Sequence, residues 1–562
     1  MMKDHYRMLK ELLYSHVEQM LARNDVHRND DLRSDFELSA MNGITDGFEY
    51  ASFVPHFILA YYLEGSPYYH DAALLERSYD GLCRYETYMH EDGSHDLVSC
   101  NYHDPAQSAF HTHVIFCALE VLVRMSEHTE VEDRLYDKAV SILRRSGKAM
   151  ATLGFHTPNH RWAISAALSV AYRYTGERQF LDAIEGFLKE GVDCDETGQY
   201  TERSNGNYNN ICNYSFMLMG FMLDREEFYD YPRRNLNMMY HFIEPDWSVN
   251  TMTSIRYDNG GKYMISDYYP YYLLLALMDR NEGFAYMADE IAERYGKTCM
   301  GQRLPMLLTL LTLHPEWLER QKEITPAQPE WEQSCFFSKD KIARVCRPKA
   351  ELTMTALASR HPAFFQMNFG DSVLFLRFAG AFFGEAHSPF RAQTITPTED
   401  GYRMVCEEHA DYRSQFDEAP ETSDWYRMDH SKRRSINVQH LTMTITLHML
   451  ADGVTMDIEA QGCEHVPTKL EIIMQPSGKL VTDSMLMFPR AGDYAFLKQG
   501  SARYYLDHFR YFQIDGGFCD HLYAENMRGA FAPDRSRFTL ALTTSTPQSS
   551  TVTIRARDLR RA

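Results

Sequence analysis

The chain has no Cys-x-x-Cys pair, and its 11 cysteines are scattered and odd in number. That argues against a disulfide framework and for reduced thiols. No transmembrane span is recognised in it, and Met1 to Met20 is amphipathic and charged, with no apolar h-region. A signal peptide and a membrane span are therefore not expected, and the expected location is cytoplasmic. Phosphate loop, dinucleotide fingerprint, nucleophile elbow and His-Glu-x-x-His helix are all missing, so no cofactor follows from motifs. Positive charge is short: 57 Lys and Arg against 78 Asp and Glu give a net charge of −21. That argues against nucleic acid and anionic membranes as partners. An acidic ligand is still compatible, because exposed charges are screened within about 8–10 Å and a local cluster of Arg, His and amides acts on its own.

What is present divides the chain in two. Its 562 residues exceed one ordinary core. Up to residue 320 apolar residues recur at helical spacing, as in Ala163, Ala166, Ala167, Val170 and Ala171. Tyr62-Leu63-Glu64-Gly65 before Ala72, and Tyr174-Thr175-Gly176 before Phe180, read as two copies of a helix–turn–helix unit. A third, degenerate copy runs from Leu122 through Leu135 and Ile142. Repeated hairpins of this kind predict a solenoid or an α/α toroid, whose loops ring one mouth. Gln321 to Pro329 is polar with two prolines and reads as a linker. After it the period becomes two, as in Leu441-Thr442-Met443-Thr444-Ile445-Thr446-Leu447, with a hairpin across Ala451-Asp452-Gly453. The expected organisation is an incomplete (α/α) toroid over 1–320, a linker over 321–332 and an antiparallel β-sandwich over 333–562. Aromatics at 13% suit stacking on sugar rings, and suit a tyrosine-rich core equally.

Two polar-aromatic runs carry the candidate chemistry. The first, Thr157-Pro158-Asn159-His160-Arg161-Trp162, opens a helical segment. Pro158 fits a first helical turn, which puts Asn159 and His160 at a helix N-terminus, where free N–H groups favour an anion. The bland alternative is an Asn cap over a packed histidine. The second run, Gly198-Gln199-Tyr200-Thr201-Glu202-Arg203-Ser204-Asn205-Gly206-Asn207-Tyr208-Asn209-Asn210, is too polar for core. Tyr208 or Tyr200 is the candidate for proton transfer, and Arg203 for holding a carboxylate or lowering a nearby phenol pKa. Arg161, Trp162, Glu202 and Asn205 are candidate substrate contacts, with Tyr200. His103 of the Asn101–Gln107 segment and Arg256 of the Ser254–Gly261 loop are weaker ones. A third segment, Gly384-Glu385-Ala386-His387-Ser388-Pro389-Phe390-Arg391, follows an apolar strand. His387 is a candidate base there, a structural histidine being equally compatible, and Arg391 a candidate contact. Together these groups suit binding a sugar carboxylate and moving a proton beside it.

A helical toroid followed by a β-sandwich, with an Asn-His pair, a later Tyr and a β-region His, resembles the heparinase II/III-like polysaccharide lyases and related alginate lyases. The resemblance covers nearly the whole chain in architecture, and its motifs rest on a few short segments. It implies β-elimination next to a uronic acid, leaving a C4=C5 unsaturated uronate. Carried over, Asn159 and His160 neutralise the uronate carboxylate, Tyr208 transfers the proton and His387 assists as base. Relatives often carry a second His two residues on, helping to bind a structural zinc. Here that position is Pro389, and no metal is assigned. The expected ligand is an acidic oligosaccharide or polysaccharide, with exo action on short chains favoured and a homo-oligomer left open. Two readings compete. One is an α/α-toroid glycoside hydrolase whose carboxylates are Glu202 with Asp104 or Asp46. The other is a non-catalytic glycan-binding protein.

Overall fold

The computed structural model describes residues 2–27, 47–296, 303–330, 334–358 and 361–561. The chain divides into two compact units. One joins Met1–Tyr240 to Arg256–Pro329, and the other joins His241–Ile255 to Glu330–Ala562.

The first unit is built of helical hairpins. Val54–Tyr62 is followed by Ala72–Glu86, Ile115–Met125 by Glu130–Thr152, and Pro158–Thr175 by Arg178–Lys189. Tyr208–Leu223 with Asp230–Met239, Tyr269–Asp279 with Glu282–Tyr295, and Leu304–Leu313 with Pro315–Glu323 continue the series. The two helices of a hairpin differ in kind. Val54–Tyr62 and Pro158–Thr175 are buried almost all round, whereas Arg178–Lys189 buries only Phe180 and Ile184. An all-apolar helix must lie inside and an amphipathic one can face water, so the pattern specifies two layers of helices. Caps fix the ends. Thr129 and Glu132 form a reciprocal capping box, and Asp104 accepts the Ala106 N–H at 2.8 Å. The Asn159 helix ends at Gly176 in the left-handed conformation, φ +70°. The stretch Pro105–Met125 is long and apolar enough by composition to cross a bilayer, but most of it is buried inside this unit. Every described cysteine in the chain is an unbridged thiol.

The second unit is a pair of β-sheets sharing one core. The nine-stranded sheet centres on Gly401–Arg413, Ser435–Met449, Gly453–Gly462 and Gln548–Asp558. The expected hairpin pairs Leu447 with Met456 and Ile445 with Ile458. Met443, Ile445, Met456 and Ile554 from this sheet meet Met354, Phe365, Leu376 and Leu470 from the eight-stranded sheet. Among the described strands pairing is antiparallel except where Tyr494–Phe496 runs parallel to Phe538–Ser545, and an isolated parallel bridge joins Cys519 to Thr543. The eight-stranded sheet also carries polar side chains inside. Arg344 is fully buried, pairs with Glu244 at 3.1 Å and donates to the His241 carbonyl at 2.7 Å. Asn250 donates to Glu244, Thr355 and Gln366. The segment His241–Ile255, which helical spacing assigned to the first half, thus packs with the sheets.

Candidate functional site

The site lies in the helical unit, at the N-termini of the Asn159 and Tyr208 helices. Glu202 is its hub. Its Oε2 accepts the Asn159 backbone N–H at 3.2 Å and the Asn159 amide at 2.8 Å. Its Oε1 takes the Arg256 guanidinium. Burial pushes the Glu202 carboxyl up, and the Asn159 and Arg256 contacts pull against that. Arg256 reaches on to Tyr208: Nη2 is 3.4 Å from the phenol oxygen, and the guanidinium sits 4.5 Å from the ring centroid. Tyr208 is half-buried at the first position of its helix, where its N–H donates to Ser204 Oγ at 3.0 Å. Burial raises the phenol pKa, while the Arg256 charge lowers it. His160 is 9% exposed with Nδ1 buried and unpaired, and its pKa falls to about 4. Burial is the main cause, and Asp104 partly offsets it. The ring is therefore neutral at pH 7.

Four orphaned polar atoms lie at these two helix starts. Asn159 Oδ1, His160 Nδ1, Asn209 Oδ1 and Asn210 Oδ1 are all buried without a hydrogen-bond partner. Buried polar atoms are normally satisfied, so such a cluster marks a place prepared for other groups. The loop that holds it is tightly tied. Asp258 accepts from Ser204 Oγ at 2.8 Å and from the Gly206 N–H at 2.9 Å. A Cβ at Gly206 would meet the Tyr263 ring at 2.7 Å, so only glycine fits. The Tyr268 and Tyr271 hydroxyls donate to the Asn205 and Asn210 carbonyls at 2.7 and 3.0 Å.

Asn159, His160, Tyr208, Glu202 and Arg256 are thus brought into one neighbourhood. Other expected contacts are placed differently. Trp162 is fully buried and donates its indole N–H to Asp193 at 2.7 Å, so it cannot stack on a sugar. Arg161 is spent on Glu190 and Asp193. Tyr200 is 1% exposed, donates to Asn213 at 3.1 Å, and burial lifts its pKa well above 10, which removes it as a proton carrier. Asn205 is fully buried and accepts from Asn209 at 2.9 Å, making it a loop anchor instead of a ligand contact. Arg203 is half-buried in the turn at φ +50°. His103 stacks on His90 at 3.9 Å and pairs with Asp92 at 2.8 Å. Tyr268, Tyr269, Tyr271 and Tyr272 are all fully buried in the core. In the sheet unit His387 is half-buried and pairs with Glu408 at 2.8 Å, and Arg391 is exposed.

Two of the three carboxylates weighed for hydrolysis are engaged. Glu202 holds Asn159 and Arg256, while Asp104 caps a helix and accepts from Asn101 at 3.0 Å. Asp46 lies outside the described residues. Sequence reasoning missed Asp258, Asn210, Tyr268 and Tyr271. The acidic residue two after Arg256 was the only signal for the first. Among the described residues no group of three or more His, Cys, Asp or Glu side chains is placed to hold a metal ion.

No family model and no curated protein matches this chain. Solved structures do match in fold. A heparan sulfate lyase HepC mutant from Pedobacter heparinus is 10% identical, with 92% of this chain and 78% of that chain covered and a TM-score of 0.53. The heparinase III-BT4657 gene product is 10% identical over 99% and 85%, with a TM-score of 0.55. The Streptomyces coelicolor A3 chondroitin AC lyase, in complex with chondroitin sulphate, is 12% identical over 99% and 83%, with a TM-score of 0.53. The chain therefore has the fold of these polysaccharide lyases, a helical toroid followed by a β-sandwich.

Proposed function

We propose that this chain is a lyase that cleaves a glycosidic bond next to a uronic acid by β-elimination, giving a C4=C5 unsaturated uronate. The observation that carries this reading is the Tyr208 hydroxyl held beside the Arg256 guanidinium, itself clamped by Glu202. Elimination needs the carboxylate charge offset, the C5 proton removed and O4 protonated. Arg256 supplies positive charge, and neutral His160 supplies a ring N–H for the carboxylate as it gains enolate character. Glu202 fixes the Asn159 amide with Nδ2 inward, since a carboxylate accepts only N–H. The Oδ1 of Asn159 is left to accept from a sugar hydroxyl. Tyr208 takes up or delivers the proton, because Arg256 stabilises the phenolate at the moment it forms.

The test is ultraviolet absorbance during incubation with a panel of uronate oligosaccharides, because elimination leaves a conjugated double bond. Growth of absorbance that Tyr208→Phe abolishes is the expected result. Reducing sugar released without absorbance would overturn it in favour of hydrolysis.

A further inference from the structure

Tyr257 stands at the rim of the site with its ring open to water, 69% exposed. A tyrosine has enough apolar surface to be drawn inside, as Tyr268 and Tyr271 of the same unit are. Exposure here does not mean looseness. The Tyr257 hydroxyl accepts the Asn207 amide N–H at 2.6 Å, and its ring meets the Tyr208 ring edge to face, with centroids 5.7 Å apart. Its neighbours in the chain are tied to the same loop. Arg256 pairs with Glu202, and the fully buried Asp258 accepts from Ser204 and Gly206. Three successive residues thus grip the segment Glu202–Tyr208, and the middle one leaves its ring in solvent. Tyr102, on the Asn101–Asp104 strand, is as exposed at 70%, yet neither its hydroxyl nor its ring has a partner among the described residues. Desolvation of the hydroxyl end of Tyr257, then the Tyr208 phenol, raises its pKa, so the ring is an uncharged surface near pH 7. A ring held at its hydroxyl and at its edge has little torsional freedom left to lose when a flat apolar surface settles on it. The C–H bonds on one face of a pyranose make such a surface, and they meet the electron-rich face of a phenol favourably.

We infer that Tyr257 is a stacking platform, whose open face takes the C–H face of a pyranose in the substrate chain, beside the bond that Tyr208 acts on. This rests on the elimination reading for its place in the reaction, and on binding alone for its first test. Calorimetry on the full chain carrying Tyr208→Phe would use two tetrasaccharides, one alternating hexuronate with N-acetylhexosamine and one of hexuronates only. Tyr257→Ala is expected to weaken the tetrasaccharide that binds by about 5- to 30-fold. Tyr257→Phe keeps the ring and loses only its anchor, so affinity should stay within about threefold of the parent. Asn207→Ala removes the same anchor from the other side and should match Tyr257→Phe. All three variants should unfold at the parent temperature. A hexuronate methyl glycoside, which fills the uronate position alone, tells which ring is stacked. It weakens in Tyr257→Ala if the platform lies under the uronate, and is unchanged if it lies under the neighbouring sugar. In turnover with Tyr208 intact, Tyr257→Ala should raise KM by the same factor and leave kcat within about threefold, because stacking holds ground state and transition state alike.

Unchanged tetrasaccharide affinity in Tyr257→Ala would overturn the platform. Equal losses in Tyr257→Ala and Tyr257→Phe would do the same, by making the hydroxyl the contact. So would a fall in kcat at constant KM. Unsaturated product formed with no dependence on the ring overturns the platform and leaves the lyase. Ring-dependent binding with no unsaturated product from the wild type overturns the lyase and leaves the platform. No binding of either tetrasaccharide overturns both.

Discussion

Each unit holds a buried arginine–glutamate pair, and the two pairs are finished differently. In the sheet unit, Arg344 and Glu244 are 0% and 4% exposed. Arg344 also bonds Thr355 and the His241 carbonyl, and Glu244 bonds Thr353 and Asn250. In the helical unit, Glu202 is as buried as Glu244, but the Arg256 side chain is 26% exposed and a tyrosine hydroxyl stands next to it. The first pair is enclosed by structural partners on every side, with Arg344 Nη2 buried and left unpartnered. The second leaves one side of its guanidinium beside a group able to carry a proton. An ion pair alone does not mark function; what its remaining hydrogen-bonding capacity faces does.

Substitutions should separate the two pairs. Tyr208→Phe removes only the hydroxyl, and elimination should fall by about 10²–10⁴-fold while thermal unfolding is unchanged. A loss of melting temperature in step with activity would make Tyr208 structural. Arg256→Gln should cost about 10²–10³-fold in kcat, read from the growth of absorbance. Its stability cost should be smaller than that of Arg344→Gln, because the Arg256 side is open to water. Arg344→Gln strands the fully buried Glu244 and should destabilise the chain by about 3–5 kcal/mol in denaturant titration. Activity per folded molecule should survive. If Arg344→Gln instead left stability intact and abolished turnover, the distinction between closed and open pairs would be wrong.

The same distinction explains what was legible in the sequence. Helical and strand periodicity reported the two kinds of architecture, because burial on one face imposes its spacing on every element. The polar-aromatic runs identified the right loops, because a run such as Glu202 to Asn210 is too polar for an ordinary core. Within the runs the reading was coarser. Trp162 and Tyr200 look like sugar contacts beside Asn159 and Glu202, yet both are enclosed, each with a single polar partner. A large aromatic has enough apolar surface to be drawn inside even from a polar run. Arg344 and Glu244 gave no local signal at all, since 100 residues separate them and only tertiary packing makes them a pair. Asp258, Tyr268 and Tyr271 act on the site through hydrogen bonds to a loop over fifty residues away, which spacing does not encode.

The smallest expected effect concerns His160 and follows from proton linkage. In the unfolded chain its imidazole titrates at about 6.5. In the folded chain burial holds it at about 4, with Asp104 raising it and His156 and Arg256 lowering it. Between these two values the unfolded state binds the extra proton, so stability falls as pH drops from about 6.5 to 4 and levels off below that. His56 and His361, also held at about 4 by burial, act in the same direction. The contribution of His160 is therefore read as a difference. His160→Gln should flatten the acid side of the stability profile by about 1–3 kcal/mol in that window. Above pH 7 the profile should be unchanged in shape. If His160 were instead protonated and paired in the folded site, the variant would lose most stability at low pH and the slope would steepen. That outcome would turn the neutral donor into a fixed cation and transfer the carboxylate-neutralising task from Arg256 to His160.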